Sequence, residues 1–268
     1  MEKENKSEQM AYQIEEVLNE WSLCNMPDKL YDIHMHLIPE VDDGAWNMEM
    51  AHMMIQTAYD QGIRKIFATP HSSAFPQYSE LIQKYFTELK KYIKDMYPDI
   101  ELFLGSEVLL TEHSIEDTLE KLDENIIPSM NGTSYVLVEF RQNAEIEEAE
   151  RCVRRLLEHG WRPIIAHAER YRFVYDNRAG FADFIKKECY CQVNVFSLSE
   201  EENGWIRENA RWLLAEKRID FLGSDAHRTF YRPPEVIGGM RYLYNQSDRK
   251  YADSISFGNA ERMLCIKR

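Results

Sequence analysis

A chain of 268 residues with 44% apolar and 29% charged residues can bury a large core as one domain; it is too apolar to stay disordered and too polar for a membrane bundle. Its net charge of −14, from 32 basic against 46 acidic residues, gives no electrostatic footprint for nucleic acid or anionic lipid, so an anionic substrate must be captured by locally placed cations. No apolar run approaches about 18 residues, which excludes a membrane-spanning helix, and Met1–Lys6 lacks an apolar h-region, so no secretory signal is expected.

In chain order, residues 1–29 read as a helical extension. Met10, Ile14, Val17, Leu18 and Trp21 form a stripe at helical spacing between Gln9 and Trp21, and Pro27 ends the segment. Residues 30–268 read as one domain, because no Gly/Ser-rich linker divides them. Seven short apolar runs follow: Leu30–Ile33, Lys65–Ala68, Ile100–Leu104, Tyr135–Val138, Arg162–Ala166, Tyr190–Val195 and Ile219–Leu222. Their near-continuous apolarity is that of parallel strands buried on both faces. Helix-length segments separate them. Met48–Asp60 is closed by Gly62. Glu145–His159 carries Ile146, Ala149, Val153, Leu156 and Leu157 on one face, with Gly160 after its end. The alternation predicts an α/β chain with a parallel sheet, open or closed, and the length favours a closed barrel. Cys24, Cys152, Cys189, Cys191 and Cys265 form neither a disulfide framework nor a zinc knuckle. Cys189 and Cys191, in an apolar run, read as buried thiols in a reducing cytoplasm.

The chemistry sits where the runs end. His34, His36 and Asp43 follow the first run, His71 the second and Glu107 the third; Glu139 ends the fourth, His167 follows the fifth, and Asp225 with His227 follow the seventh. Strand C-termini of a parallel sheet converge on one face. Singly each residue has a bland explanation. His71 or His167 could be a hydrogen-bonded structural histidine, Asp225 a helix N-cap, Glu139 a solvated strand end. H-x-H puts two imidazoles on one side of an extended chain, which alone is weak. Jointly the pattern is informative: five of the eight histidines fall at these ends, while His52, His113 and His159 lie in helical stretches. Mixed imidazole and carboxylate donors suit Zn, Mn or Fe rather than Ca or Mg. Nine donors exceed the needs of one ion, so two or three divalent ions bridged by a carboxylate are expected.

The segments D-I-H-M-H, V-D-D-G, A-T-P-H, G-S-E-V, V-L-V-E-F, I-I-A-H-A-E-R-Y, G-S-D-A-H and R-P-P, in that order from Tyr31 onward, resemble the polymerase and histidinol phosphatase (PHP) superfamily. Within it the chain is most similar to the bacterial manganese-dependent tyrosine-protein phosphatases encoded with capsule and exopolysaccharide genes. The resemblance implies a distorted seven-stranded β/α barrel of TIM-like form with a trinuclear site. It implies that His34, His36, Glu107 and Asp225 hold one ion, that Glu107 as bridge holds a second with Glu139 and His167, and that Asp43, His71 and His227 hold a third. Arg170 and Arg232 match phosphate-contacting arginines. Manganese is implied first, with Fe, Zn or Co as alternatives, and the partner implied is a phosphotyrosine protein, a bacterial tyrosine kinase tail. The N-terminal extension and the loop Ser72–Ser79 depart from the pattern.

Phosphoester hydrolysis also follows from the donors themselves. Clustered divalent ions bring bound water toward neutral pKa, giving a hydroxide for in-line attack, and arginine forks suit phosphoryl oxygens. A tyrosinate leaving group, with pKa about 10, needs little protonation. Glu169 reads as a supporting carboxylate. Other phosphatase chemistries are absent: no C-x5-R for a thiolate nucleophile, no D-x-D, no Walker-type phosphate loop. An amidohydrolase would place a lysine on the fourth strand and a histidine on the sixth, where Glu139 and Asn194 stand. The competing readings are a small-molecule phosphoesterase, such as a histidinol-phosphate phosphatase, and a non-catalytic kinase-binding barrel marked by a lost donor.

Overall fold

The structure, a computed structural model, describes Pro27 and residues 29–268; the expected helix at Gln9–Trp21 lies outside the described residues. Strands β1 (Leu30–Met35), β2 (Ile63–Ala68) and β3 (Glu101–Leu104) form a parallel sheet in the order β1-β2-β3. Strands β4 (Glu107–Leu109), β5 (Tyr135–Glu139), β6 (Arg162–Ile165), β7 (Tyr190–Asn194) and β8 (Phe221–Gly223) form a second parallel sheet in sequence order. The helices are α1 (Met48–Asp60), α2 (Phe75–Met96), α3 (Ile115–Asp123), α4 (Ile146–Glu158), α5 (Arg172–Asp176), α6 (Arg178–Glu188), α7 (Gly204–Ala215), α8 (Ile237–Gln246), α9 (Arg249–Asp253) and α10 (Asn259–Leu264). Among the described residues no helix is long and apolar enough to cross a membrane.

The runs are apolar throughout because each strand feeds two cores. Tyr135 and Leu137 of β5, Ile164 of β6, Phe67 of β2 and Phe221 of β8 belong to one buried cluster. Their neighbours Val136, Val138, Ile165, Ile66 and Leu222 belong to the other, larger cluster, which the helices cover. Period-two alternation sends consecutive residues to opposite faces, and here both faces are dry. In α4, Ala149, Val153 and Leu156 are buried as their spacing predicts; Cys152 joins them, and Ile146 and Leu157 are only partly buried.

Among the described residues the seven strands expected are eight, in two sheets of three and five. The third run breaks at Gly105-Ser106: the Gly105 N–H still bonds to Ala68 of β2 at 2.9 Å, but Glu107 pairs with Leu137 of β5. The chain thus changes sheets within two residues. A Cβ on Gly105 would lie 2.8 Å from the Met130 sulfur, so the crossing point has no room for a side chain. The expected loop Ser72–Ser79 is also corrected. Ser72–Ala74 is a 3-10 turn that runs directly into α2. Pro76 sits in the first turn of α2, where its fixed φ helps and its missing N–H costs nothing.

Where the sheets meet, the end of β1 bonds to the segment after β8. Asp225 N–H donates to His34 O at 2.8 Å and His36 N–H donates to Ala226 O at 2.9 Å. Farther along, α8 lies against the 3-10 turn Val195–Leu198 that follows β7. Gly239 makes that approach possible, since a Cβ there would fall 1.9 Å from Val195 O. Gly239→Ala is therefore expected to lower stability by about 1–3 kcal/mol through overpacking, read as a reduced urea midpoint. An unchanged midpoint would show that α8 can shift away from the turn without cost.

Candidate metal centre

Glu107 is the centre of the site. Its carboxylate is buried, and four imidazoles point at it: His34 Nε2 at 3.2 Å, His36 Nε2 at 3.1 Å, His71 Nδ1 at 3.1 Å and His167 Nε2 at 2.9 Å. The other expected donors lie in the same network. His71 Nδ1 also reaches Glu139 at 3.3 Å. Asp43 Oδ1 lies 3.3 Å from His71 and 3.4 Å from His227, and Asp225 Oδ1 lies 3.6 Å from His34 and from His227.

Local structure aims these groups. Alternation along β1 puts Asp32, His34 and His36 on one side. Asp32 accepts from the His34 N–H at 3.1 Å and the Ser224 N–H at 2.9 Å, tying β1 to the segment that bears Asp225. Burial pushes the Asp32 carboxyl up to about 6. Asp42 accepts from the Gly44 N–H at 2.9 Å and the His71 N–H at 3.0 Å, and lies 2.9 Å from His36 Nδ1. One side chain thereby holds its own turn, the start of the His71 loop and the His36 ring. His34 Nδ1 faces Gln192 Oε1 at 3.3 Å, and His227 Nδ1 faces the Asp225 carbonyl at 2.8 Å. In His34, His36 and His227 the outer nitrogen is occupied, leaving Nε2 as the donor for a cation. His167, Asp225 and Arg232 have φ of 33°, 54° and 50°, left-handed backbone that non-glycine residues rarely adopt.

The charge balance calls for cations. Asp42, Asp43, Glu107, Glu139 and Asp225 gather around imidazoles, and the guanidiniums that join them are Arg170 on Asp225 and Arg232 on Asp225 and Asp43. Burial opposes a charged His36, yet Asp42 and Glu107 outweigh it and push its imidazole up to about 10. Burial likewise opposes charge on His71 and His167, and carboxylates raise both: Asp43, Glu107 and Glu139 around His71, Glu107 beside His167. Burial disfavours charge on Glu107, but His34 and its companions hold it well below the usual carboxylate range. The His227 imidazole is instead lowered, chiefly by burial. A pocket that draws protons onto its histidines is one that divalent ions fit, because neutral imidazoles and ionised carboxylates then serve as ligands. Donors about 2.0–2.2 Å from a shared ion stand roughly 3–3.5 Å apart, and the separations around Glu107 are of that size.

Three donor groups have ligand atoms within 4.8 Å of one another: His34, His36 and Glu107; His71, Glu107 and Glu139; and His36, Asp43, His71 and His227. Of the trios expected, Asp43, His71 and His227 gather as a unit, joined by His36. Asp225 stands slightly back from His36, at 3.7 Å. Between the two glutamates sits His71, while His167 is 3.9 Å from Glu139. Arg170 and Arg232 both donate to Asp225 Oδ2, at 2.9 Å and 3.0 Å, as does Asn194 Nδ2 at 3.1 Å. Both arginines line a cleft of about 230 Å³ together with His71, Glu107, Glu139, His167 and the rings of Phe140 and Tyr171.

Glu169 is buried beneath this cleft, accepting from Ser197 Oγ at 2.8 Å and the Asn194 N–H at 3.2 Å, so it braces the turn that carries Arg170. His52 stacks on Tyr92 at 3.6 Å, His159 pairs with Asp123 at 3.2 Å, and His113 is exposed; none joins the cluster. Sequence reading passed over Asp42, Asp32 and Gln192. For two of them parity is the available signal: Asp32 shares a strand face with His34, and Gln192 shares one with Asn194.

A family model described as "Capsular polysaccharide synthesis, CpsB/CapC" matches residues 30–265. The tyrosine-protein phosphatase CpsB of Streptococcus pneumoniae is 29% identical over 242 residues, covering 88% of this chain and 98% of that protein. The tyrosine-protein phosphatase YwqE of Bacillus subtilis is 29% identical over 201 residues, 74% of this chain and 77% of that protein. A solved structure from work on YwqE of Bacillus subtilis and CpsB of Streptococcus pneumoniae, described as unique metal-dependent tyrosine phosphatases, superposes with a TM-score of 0.77 at 25% identity. It covers 89% of this chain and 96% of that one.

The role of Asp42 is testable apart from catalysis. Asp42→Asn keeps an oxygen for only one of the Gly44 and His71 amides, which bond to different oxygens of Asp42, and loses the charge beside His36. Removing such an orienting carboxylate typically costs about 10–100-fold in metal affinity, and that loss is expected in Mn²⁺ titration against a competing chelator. His159→Ala should leave affinity unchanged. Wild-type affinity in Asp42→Asn would reduce the residue to a loop cap.

Proposed function

The chain belongs to the CpsB/CapC family of capsular polysaccharide synthesis, and on that premise we propose that it is a metal-dependent protein-tyrosine phosphatase. The observation that carries this reading is one cleft lined both by the imidazole and carboxylate cluster and by two guanidiniums. Such a cleft is built for a phosphoryl group. We further propose that His34, His36 and Glu107 with Asp225, Glu107 and Glu139 with His71 or His167, and Asp43 with His71 and His227 hold two or three divalent ions, manganese foremost. Ions held there would supply activated water and charge stabilisation for phosphoryl transfer.

The protein's own groups do the rest. Arg170 and Arg232 each spend one N–H on Asp225 and are half-buried, so their remaining donors can grip phosphoryl oxygens as charge develops. The relatives described above as tyrosine-protein phosphatases favour phosphotyrosine over histidinol phosphate. Every expected donor is present, against the idle-barrel reading. Burial pushes the Cys152 thiol up to about 11 and the Cys191 thiol well above its ordinary range, which disfavours either as a thiolate nucleophile. The hydrogen bonds between β1 and the segment after β8 support reading the two sheets as arcs of one distorted PHP-type barrel spanning 30–268, with 1–29 as an extension. The unbridged thiols of Cys152 and Cys191 favour a cytoplasmic setting. A bacterial tyrosine kinase tail is the substrate we favour.

Two experiments test this. Chelation should abolish hydrolysis of a phosphotyrosine peptide and Mn²⁺ should restore it, while thiol alkylation leaves it intact; full activity in demonstrably metal-free protein would exclude the mechanism. Arg170→Ala should lower kcat/KM about 10²-fold, roughly 2.7 kcal/mol, with metal content unchanged. Arg170→Lys should recover only part, since an ammonium keeps the charge but not the planar fork. Lost metal in the alanine variant would instead make Arg170 a brace for Asp225.

A further inference from the structure

Beside the cleft lies an aromatic rim that the metal cluster does not use. Trp46 stands three residues past Asp43, and Phe230 three residues past His227. Their rings meet at 5.2 Å, yet Trp46 is 55% and Phe230 62% exposed. Tyr231, 53% exposed, lies beneath the Arg232 guanidinium at 5.3 Å, and Arg232 lines the cleft. The rim is therefore continuous with the site. It is also held firm: the Arg228 guanidinium covers the Trp46 ring at 4.5 Å while donating to Gly44 O at 3.1 Å and Asp43 O at 2.6 Å. Exposed aromatic rings, prepositioned next to a cleft, are costly to keep in water and are suited to contact.

We propose that Trp46, Phe230 and Tyr231 seat an apolar or aromatic side chain of the peptide flanking the phosphotyrosine, an inference that rests on the phosphatase reading above. Charge favours a peptide contact of this kind. With a net charge of −14 the protein repels an acidic phosphopeptide at long range, so affinity beyond the phosphate must come from short-range contacts, which rings supply. The same charge disfavours an anionic membrane as occupant. Reach sets the position. Three residues span at most about 11 Å, so the seated side chain lies within about three residues of the phosphotyrosine along an extended peptide.

The test compares free phosphotyrosine, a phosphotyrosine peptide with leucine and phenylalanine at the flanking positions, and the same peptide with serine there. Wild-type, Trp46→Ala, Phe230→Ala and the double variant are assayed, with metal content and thermal denaturation confirming that each is folded and loaded. The expected result is a KM for the apolar-flanked peptide raised about tenfold in the double variant, with kcat and the kinetics on free phosphotyrosine unchanged and Trp46→Phe close to wild type. Equal losses on all three substrates, a wild-type preference blind to the flanks, or a double variant that only changes oligomeric state in solution would each overturn the rim. A loaded wild-type protein that hydrolyses no phosphotyrosine at all overturns the phosphatase reading instead.

Discussion

A single buried carboxylate surrounded by four imidazoles organises this molecule. Glu107 lies at the start of β4, just past the point where the chain leaves one sheet for the other, so the crossing and the placement of the carboxylate are one event. Burying an ion without compensation is prohibitive, and removing the partners of a buried ion destabilises strongly. The strand ends must therefore bring their histidines to Glu107 whatever the loops beyond them do. That demand explains why the support reaches outward in layers: Asp42 behind His36, Gln192 behind His34, and Glu169 behind Asn194, which itself bonds to Asp225.

Much of this was legible beforehand because strand ends concentrate chemistry. The nine candidate donors stand in the sequence as polar residues at or just beyond the ends of apolar runs, and the runs themselves locate seven of the strands to within two residues at either end. The eighth strand was hidden. Gly105-Ser106-Glu107 reads as one site motif, and a three-residue strand is too short to leave a periodic signal. The Ser72–Ser79 segment misled for a related reason: Pro, Ser and aromatic residues look like loop composition, whereas Pro at a helix's first turn is a start signal. Asp42 was outshone by its neighbour Asp43, since adjacent residues of a turn carry no parity to say which one faces inward. Gln192, an uncharged amide in an apolar strand, has no chemical signature until its partners are known.

Acidity and phosphate binding coexist because they act at different ranges. Exposed charges are screened by salt beyond about 8 Å. Arg170 and Arg232 are half-buried at the cleft and converge on the same oxygen of Asp225. That carboxylate keeps two like charges together before any substrate arrives, which lowers the reorganisation needed when an anion enters.

The left-handed backbone at His167, Asp225 and Arg232 bears on how the chain can vary. Histidine and aspartate are among the few non-glycine residues that tolerate such torsions, because their short polar side chains are compatible with them. At those two positions the torsion and the donor chemistry select the same residues, so substitution is constrained twice. Arginine has no such affinity. Its turn is pinned from outside by the His227 N–H bonded to the Arg232 carbonyl at 2.9 Å. The guanidinium is aimed by a neighbour's main chain, and drift in the length of the 228–231 segment would turn it away from the cleft without altering a single donor.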